Sequence, residues 1–208
     1  MTVEAFDTRF RLTFSFFAVI TAMLLTCDRR IVGISVMSSL LHECGHLVFL
    51  YAFGERPESV IFGAFGIRIE RQGVSSLCYK HQAAVAMGGI LVNCALAAVF
   101  AVLYCFLAWD VFAVGFAVNI LIGGLNMMPV GILDAGQFLR YILLERFDED
   151  ETESKLNIVS DFSVLLFACF CVGYTVLISL NASLICVCLY LMAVNIKLRI
   201  GGCQNPKE

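Results

Sequence analysis

Residues 42–46 read His-Glu-Cys-Gly-His. Two histidines four apart share one face of an α-helix, and the carboxylate beside the first can act as a general base. This H-E-x-x-H spacing is a zinc motif for metal-assisted hydrolysis. It sits inside a stretch apolar enough to cross a bilayer. There a carboxylate costs about 2.5–3.5 kcal/mol on insertion scales, so such a residue is rare and usually functional. A chance occurrence would have to account for three costly side chains where a structural helix would carry Leu.

Composition supports that setting. The chain has 208 residues, of which 60% are hydrophobic and only 15% charged, against about a quarter charged in soluble domains. A net charge of −3 gives no reason to expect nucleic acid. The first apolar run lacks a small-residue cleavage site and reads as a retained helix. Most of the ten Cys, such as Cys94, Cys105, Cys169, Cys171, Cys186 and Cys188, lie in apolar runs and read as small buried hydrophobes. No C-x-x-C pair suggests a thiolate zinc site.

The expected fold is an all-α polytopic membrane protein of six transmembrane helices, near 11–27, 31–53, 82–108, 110–130, 157–178 and 182–198. The whole of 1–208 is expected to form a single domain, with no soluble domain before or after the bundle. With alternating connections, all but two of the 14 Lys and Arg fall on one side, Arg29 and Arg30 being the exceptions. Basic loops stay in the cytoplasm, so both termini are expected there. In the loop 54–81, Ser59–Phe62 and Gly66–Arg71 are β-prone, and the second alternates apolar with charged residues. A short membrane-associated β-hairpin after the second span is expected, with its turn at Gly63 and Gly66. The run Asp148-Glu149-Asp150-Glu151 reads as a solvated loop.

A catalytic zinc takes three protein ligands and keeps one position open. His81 lies at a loop edge and Asp161 near the start of the fifth span. Asp134 is the better third ligand. The second and fourth spans run in the same direction, so the end of the fourth approaches the cytoplasmic depth of His42 and His46. Pro129 has no amide hydrogen and tends to end a helix, which lets Asp134 turn back toward the bundle.

The chain resembles the site-2 proteases, intramembrane zinc metalloproteases. The family's H-E-x-G-H is matched by His42, Glu43, Gly45 and His46. Its N-x-x-P-x-x-x-L-D-G is matched by Asn126, Pro129, Leu133 and Asp134, with Ala135 in place of the first Gly. Its G-P-x-x-N resembles Gly89-Ile90-Leu91-Val92-Asn93, with Ile90 in place of Pro. The β-prone loop is similar to the family's membrane-embedded hairpin. The compact layout is similar to the sporulation-type branch, here without a C-terminal sensor domain.

The resemblance implies one Zn2+ per chain held by His42, His46 and Asp134, with Glu43 as general base. It implies that Asn93 hydrogen-bonds the substrate backbone and that Asn126 orients Asp134 or its loop. The substrate would be a membrane-spanning or membrane-tethered protein, such as a transcription-factor precursor, cleaved within or near its transmembrane segment in a bacterial cell membrane. The partners implied are that substrate, the lipid bilayer and a regulatory membrane protein.

Two other readings are weighed. Prenyl-protein-type membrane peptidases share H-E-x-x-H but take a glutamate ligand from an E-x-x-x-D/N helix, and none stands out. A metal-handling or scaffold protein would not need Glu43. Asn119 and Asn195 read as hydrogen bonds between helices, Gly88, Gly89, Gly123 and Gly124 as close helix contacts, and Trp109 as an interfacial anchor.

Overall fold

The computed structural model describes residues 2–5, 8–55, 57, 59–63, 66–70 and 77–202. These contain seven helices and four short strands, in two compact units that divide between Leu125 and Asn126.

In the first unit, Thr2–Ala5 (β1) and Thr8–Leu12 (β2) pair antiparallel. Ser59–Gly63 (β3) joins β2 in parallel, with Phe10 opposite Val60. Gly66–Glu70 (β4) closes antiparallel on β3, with Val60 opposite Ile69. The expected short hairpin is thereby corrected to a larger element: β3 and β4 are the outer half of a four-stranded sheet ordered β1-β2-β3-β4. A lone two-stranded ribbon is marginal in stability, and added strands relieve that. Residues 64 and 65, between these strands, lie outside the described residues.

Phe14–Thr26 (α1) follows the sheet's second strand, and Arg29–Ala52 (α2) begins after a cap. The Asp28 carboxylate accepts the Arg30 amide at 2.7 Å, satisfying an N-terminal donor. Tyr79–Leu107 (α3) and Asp110–Asn126 (α4) are joined through Ala108, whose φ of 51° makes a left-handed corner. Trp109 there is exposed and stacks on Phe112.

α2 and α3 make the most extensive helix contact. A Cβ built on Gly45 would lie 2.4 Å from the Gly88 carbonyl oxygen, and one on Gly88 would lie 2.6 Å from that of Gly45. Only two glycines facing each other allow the backbones this close. Val32 and Leu50 of α2 and Val85 and Ile90 of α3 are buried. Asn119 of α4 donates to Ser38 Oγ of α2 at 3.0 Å, the interhelical bond expected of it.

In the second unit, a turn over residues 127–133 leads to Asp134–Leu144 (α5), Glu149–Leu177 (α6) and Ala182–Gly202 (α7). Two expectations change here. The polar stretch after Asp134 contains a helix, because Ala135, Phe138, Leu139, Ile142 and Leu143 recur at helical spacing. The acidic run is no loop: Glu149, Asp150 and Glu151 form the first turn of α6. Carboxylates are stabilising at that end of the helix dipole. Arg140 of α5 pairs with Glu153 at 2.6 Å and Glu149 at 3.2 Å. Burial opposes the Arg140 charge, but the hydrogen bond and field of Glu153, helped by Glu149, outweigh it and raise the guanidinium's pKa. α7 is tied to α6 by Asn195, which donates to Asp161 at 2.8 Å, and by an Arg199–Asp161 ion pair.

Four helices, α2, α3, α6 and α7, are long and apolar enough to cross a membrane. The expected six spans are corrected, because α1 has 13 residues and α4 has 17. At 1.5 Å per residue these reach about 20 and 25 Å, short of a hydrocarbon core of about 30 Å. β2 takes the chain as far as Leu12, and α4 stops at Asn126 ahead of Pro129. The cysteine expectation holds in part: Cys171 and Cys188 are buried, whereas Cys27, Cys44, Cys78, Cys94, Cys105, Cys169 and Cys186 are exposed.

Candidate metal centre

His42 and His46 are one turn apart on α2, both buried, on the face turned to α3. His46 Nδ1 lies 2.8 Å from the Val85 carbonyl oxygen of α3. A carbonyl only accepts, so Nδ1 carries the proton and donates, which leaves Nε2 of a neutral ring with its lone pair. That Nε2 is 3.3 Å from Nε2 of His42, with the rings at 85°. Nitrogens facing at this distance need a proton or a cation between them. Two nitrogens about 2.05 Å from a tetrahedral ion are themselves about 3.3 Å apart, so the pair is spaced as two zinc ligands would be.

Room for the imidazoles comes from α3. A Cβ on Gly89 would fall 2.5 Å from both His42 Cε1 and His46 Nε2. Sequence reasoning took Gly89 for helix packing, whereas its missing side chain is the space the two imidazoles fill. The adjacent glycines Gly88 and Gly89, one against backbone and one against imidazole, were the available signal. Glu43 follows His42 in the same turn and is half-buried.

Asn93 lies one turn beyond Gly89 on α3 and is fully buried. Among the described residues, neither its Nδ2 nor its Oδ1 meets a hydrogen-bond partner. A buried polar atom left in that condition costs about 1–3 kcal/mol. Asn119 and Asn195 both reach neighbouring helices; Asn93 does not.

Asp134 is the first residue of α5, after a turn that follows Asn126 and contains Pro129. Asn126 is the last residue of α4. The turn is tied by bonds from the Val130 amide to the Met128 carbonyl and from the Leu133 amide to the Val130 carbonyl, each 2.8 Å. Val130 is fully buried.

His42 and His46 belong to the first unit and Asp134 to the second. Two facing imidazoles, with a cradle that any Cβ at Gly89 would fill, are donors of the kind a zinc ion takes. His81, the loop-edge alternative, stacks on Phe53 at 4.2 Å. Asp161 is engaged by Asn195 and Arg199.

Membrane-length helices and a facing pair of buried histidines point to a multi-pass membrane protein with a candidate metal centre. The fold is that of a site-2 protease. It matches the site-2 protease from Methanocaldococcus jannaschii with a TM-score of 0.66 at 16% identity, over 95% of this chain and 94% of that one. No protein-family profile matches the chain. No curated protein matches it either.

Proposed function

We propose that the chain is an intramembrane zinc endopeptidase that cleaves membrane-spanning or membrane-tethered proteins within or near their transmembrane segments. The observation that carries the reading is the pair of imidazole nitrogens facing across the space left by Gly89, with Glu43 in the same helical turn. The site-2 protease fold supports the same conclusion.

His42, His46 and Asp134 would hold one zinc ion. When bound, zinc polarises the scissile carbonyl and makes a water acidic enough to attack near neutral pH. Glu43 takes the proton of the attacking water and returns it to the leaving amine. Asn93, buried with both polar ends unspent, is suited to hold the substrate backbone or the developing oxyanion. Asn126, at the end of α4, orients the turn that carries Asp134. The free edge of β4 can take an extended substrate segment by strand addition, which exposes peptide bonds that a helix would hide.

Within this reading 1–208 acts as one protease domain in a bacterial cell membrane, nearest the sporulation-type branch, and answers to a regulatory membrane partner. Four crossings leave both termini on one side together with 10 of the 14 Lys and Arg, which supports cytoplasmic termini. Retention of Glu43 weighs against a scaffold or metal-storage protein, which would need no base there.

The test is Glu43→Gln in the purified, membrane-embedded protein, with zinc content and cleavage of a co-expressed membrane-tethered substrate both measured. Retained zinc with cleavage reduced about a thousandfold or more is expected, since the proton transfers are worth roughly 10²–10⁴ in rate. Cleavage at the native rate would refute the role given to Glu43.

A further inference from the structure

We infer that Ser160 and Gln137 are positioning residues for the metal ligand Asp134, an inference that rests on the zinc-peptidase reading above. The turn 127–133 has few bonds of its own, because Pro129 brings no amide hydrogen. Two of its carbonyls are instead taken by side chains from outside it. Ser160 Oγ of α6, almost wholly buried, donates to the Pro129 carbonyl at 2.9 Å. Gln137 Nε2, three residues after Asp134 on α5, donates to the Gly131 carbonyl.

These bonds act in different directions. Gln137 draws the turn onto the first turn of the helix that begins with Asp134. Ser160 fixes the same turn to the long helix α6. A third constraint is steric: a Cβ on Gly136 would lie 2.0 Å from the Val130 carbonyl oxygen, so the turn's backbone lies directly on α5. The start of α5, and Asp134 with it, is therefore held from three sides. A carboxylate ligand needs such support, since removing groups that orient metal ligands typically costs 10–100-fold in affinity.

A role in stability alone would predict something else. Gly131, Gln137 and Ser160 line a cavity of about 770 Å³, together with Arg140, Asn157 and Arg199. Water can enter there and satisfy the Pro129 carbonyl if the Ser160 hydroxyl is removed, so the fold should survive Ser160→Ala.

The experiment uses the full chain in lipid nanodiscs, with zinc affinity read by chelator competition and ligand geometry by the visible spectrum of the cobalt(II)-loaded protein. Ser160→Ala should weaken zinc about 10–100-fold and alter the cobalt band, and Ser160→Thr should restore both. Gln137→Met should weaken zinc about tenfold and carries the test if Ser160→Ala does not fold. Thr175→Ala removes another hydroxyl from α6, one bonded to the Cys171 carbonyl, and should change neither reading. Native zinc affinity and an unaltered cobalt spectrum in Ser160→Ala or Gln137→Met would overturn the inference. If the unmodified chain binds no zinc, or Asp134→Ala binds it as well as the unmodified chain, the zinc-peptidase reading fails instead.

Discussion

The α2–α3 pair and the 127–133 turn carry the proposed metal donors, and they position them by opposite means. On α2 the donors are set by helical period: His42 and His46 are one turn apart, and only the volume of the facing helix decides whether they meet. Gly45, Gly88 and Gly89 keep that volume small. Asp134 is the first residue of α5 and inherits its position from the turn before it. Its place depends on hydrogen bonds to the Pro129 and Gly131 carbonyls and on the buried Val130. The first region should therefore be most sensitive to added bulk, and the second to lost hydrogen bonds.

The largest effect should come from bulk beside the imidazoles. Gly89→Val puts atoms where both rings already lie, so zinc binding should fall by at least ~100-fold in chelator competition. Gly124→Ala adds a methyl where no atom lies within 4 Å, and should bind zinc normally. Equal behaviour of the two variants would remove Gly89 from the account. Next comes Gly88→Ala, which pushes a Cβ against the Gly45 backbone and should cost about 1–3 kcal/mol, seen as an earlier unfolding transition in detergent. Asn119→Leu removes the bond to Ser38 and should cost less, about 0.5–1.5 kcal/mol in the same assay.

The smallest effect belongs to the second region's surface. Arg140→Ala breaks pairs with Glu149 and Glu153 that are partly exposed, and should cost about 1 kcal/mol, less at high salt. Because the Arg140 pKa is raised on folding, its contribution is full below the unfolded pKa and is lost only in strong alkali. A larger loss near neutral pH would show that this ion pair helps to hold the Asp134 turn.

The same contrast explains what the sequence made legible. His42, Glu43 and His46 could be read because helical spacing is local and polar side chains are conspicuous among apolar ones. Asp134 could be singled out as a candidate because Pro129 announces the end of a helix. The clamp on its turn could not, since Ser160 lies 31 residues from Pro129 and looks like any helical serine. The strand-prone segments at 59–70 were visible by alternation, but their partner β2 was not. Parallel pairing of Arg9–Leu12 with Ser59–Phe62 is distant in sequence, and residues 11 and 12 run straight into the apolar stretch that follows. Glu149–Glu151 read as a loop because charge blocks resemble solvated chain, whereas here the helix dipole and Arg140 give them a use.

The central claim is that one zinc ion is held jointly by His42, His46 and Asp134. Zinc per chain, measured on purified protein for the unmodified sequence, His42→Ala and Asp134→Ala, tests it most directly. About one zinc in the unmodified protein and almost none in either variant is the predicted result. Zinc retained in both variants would contradict it.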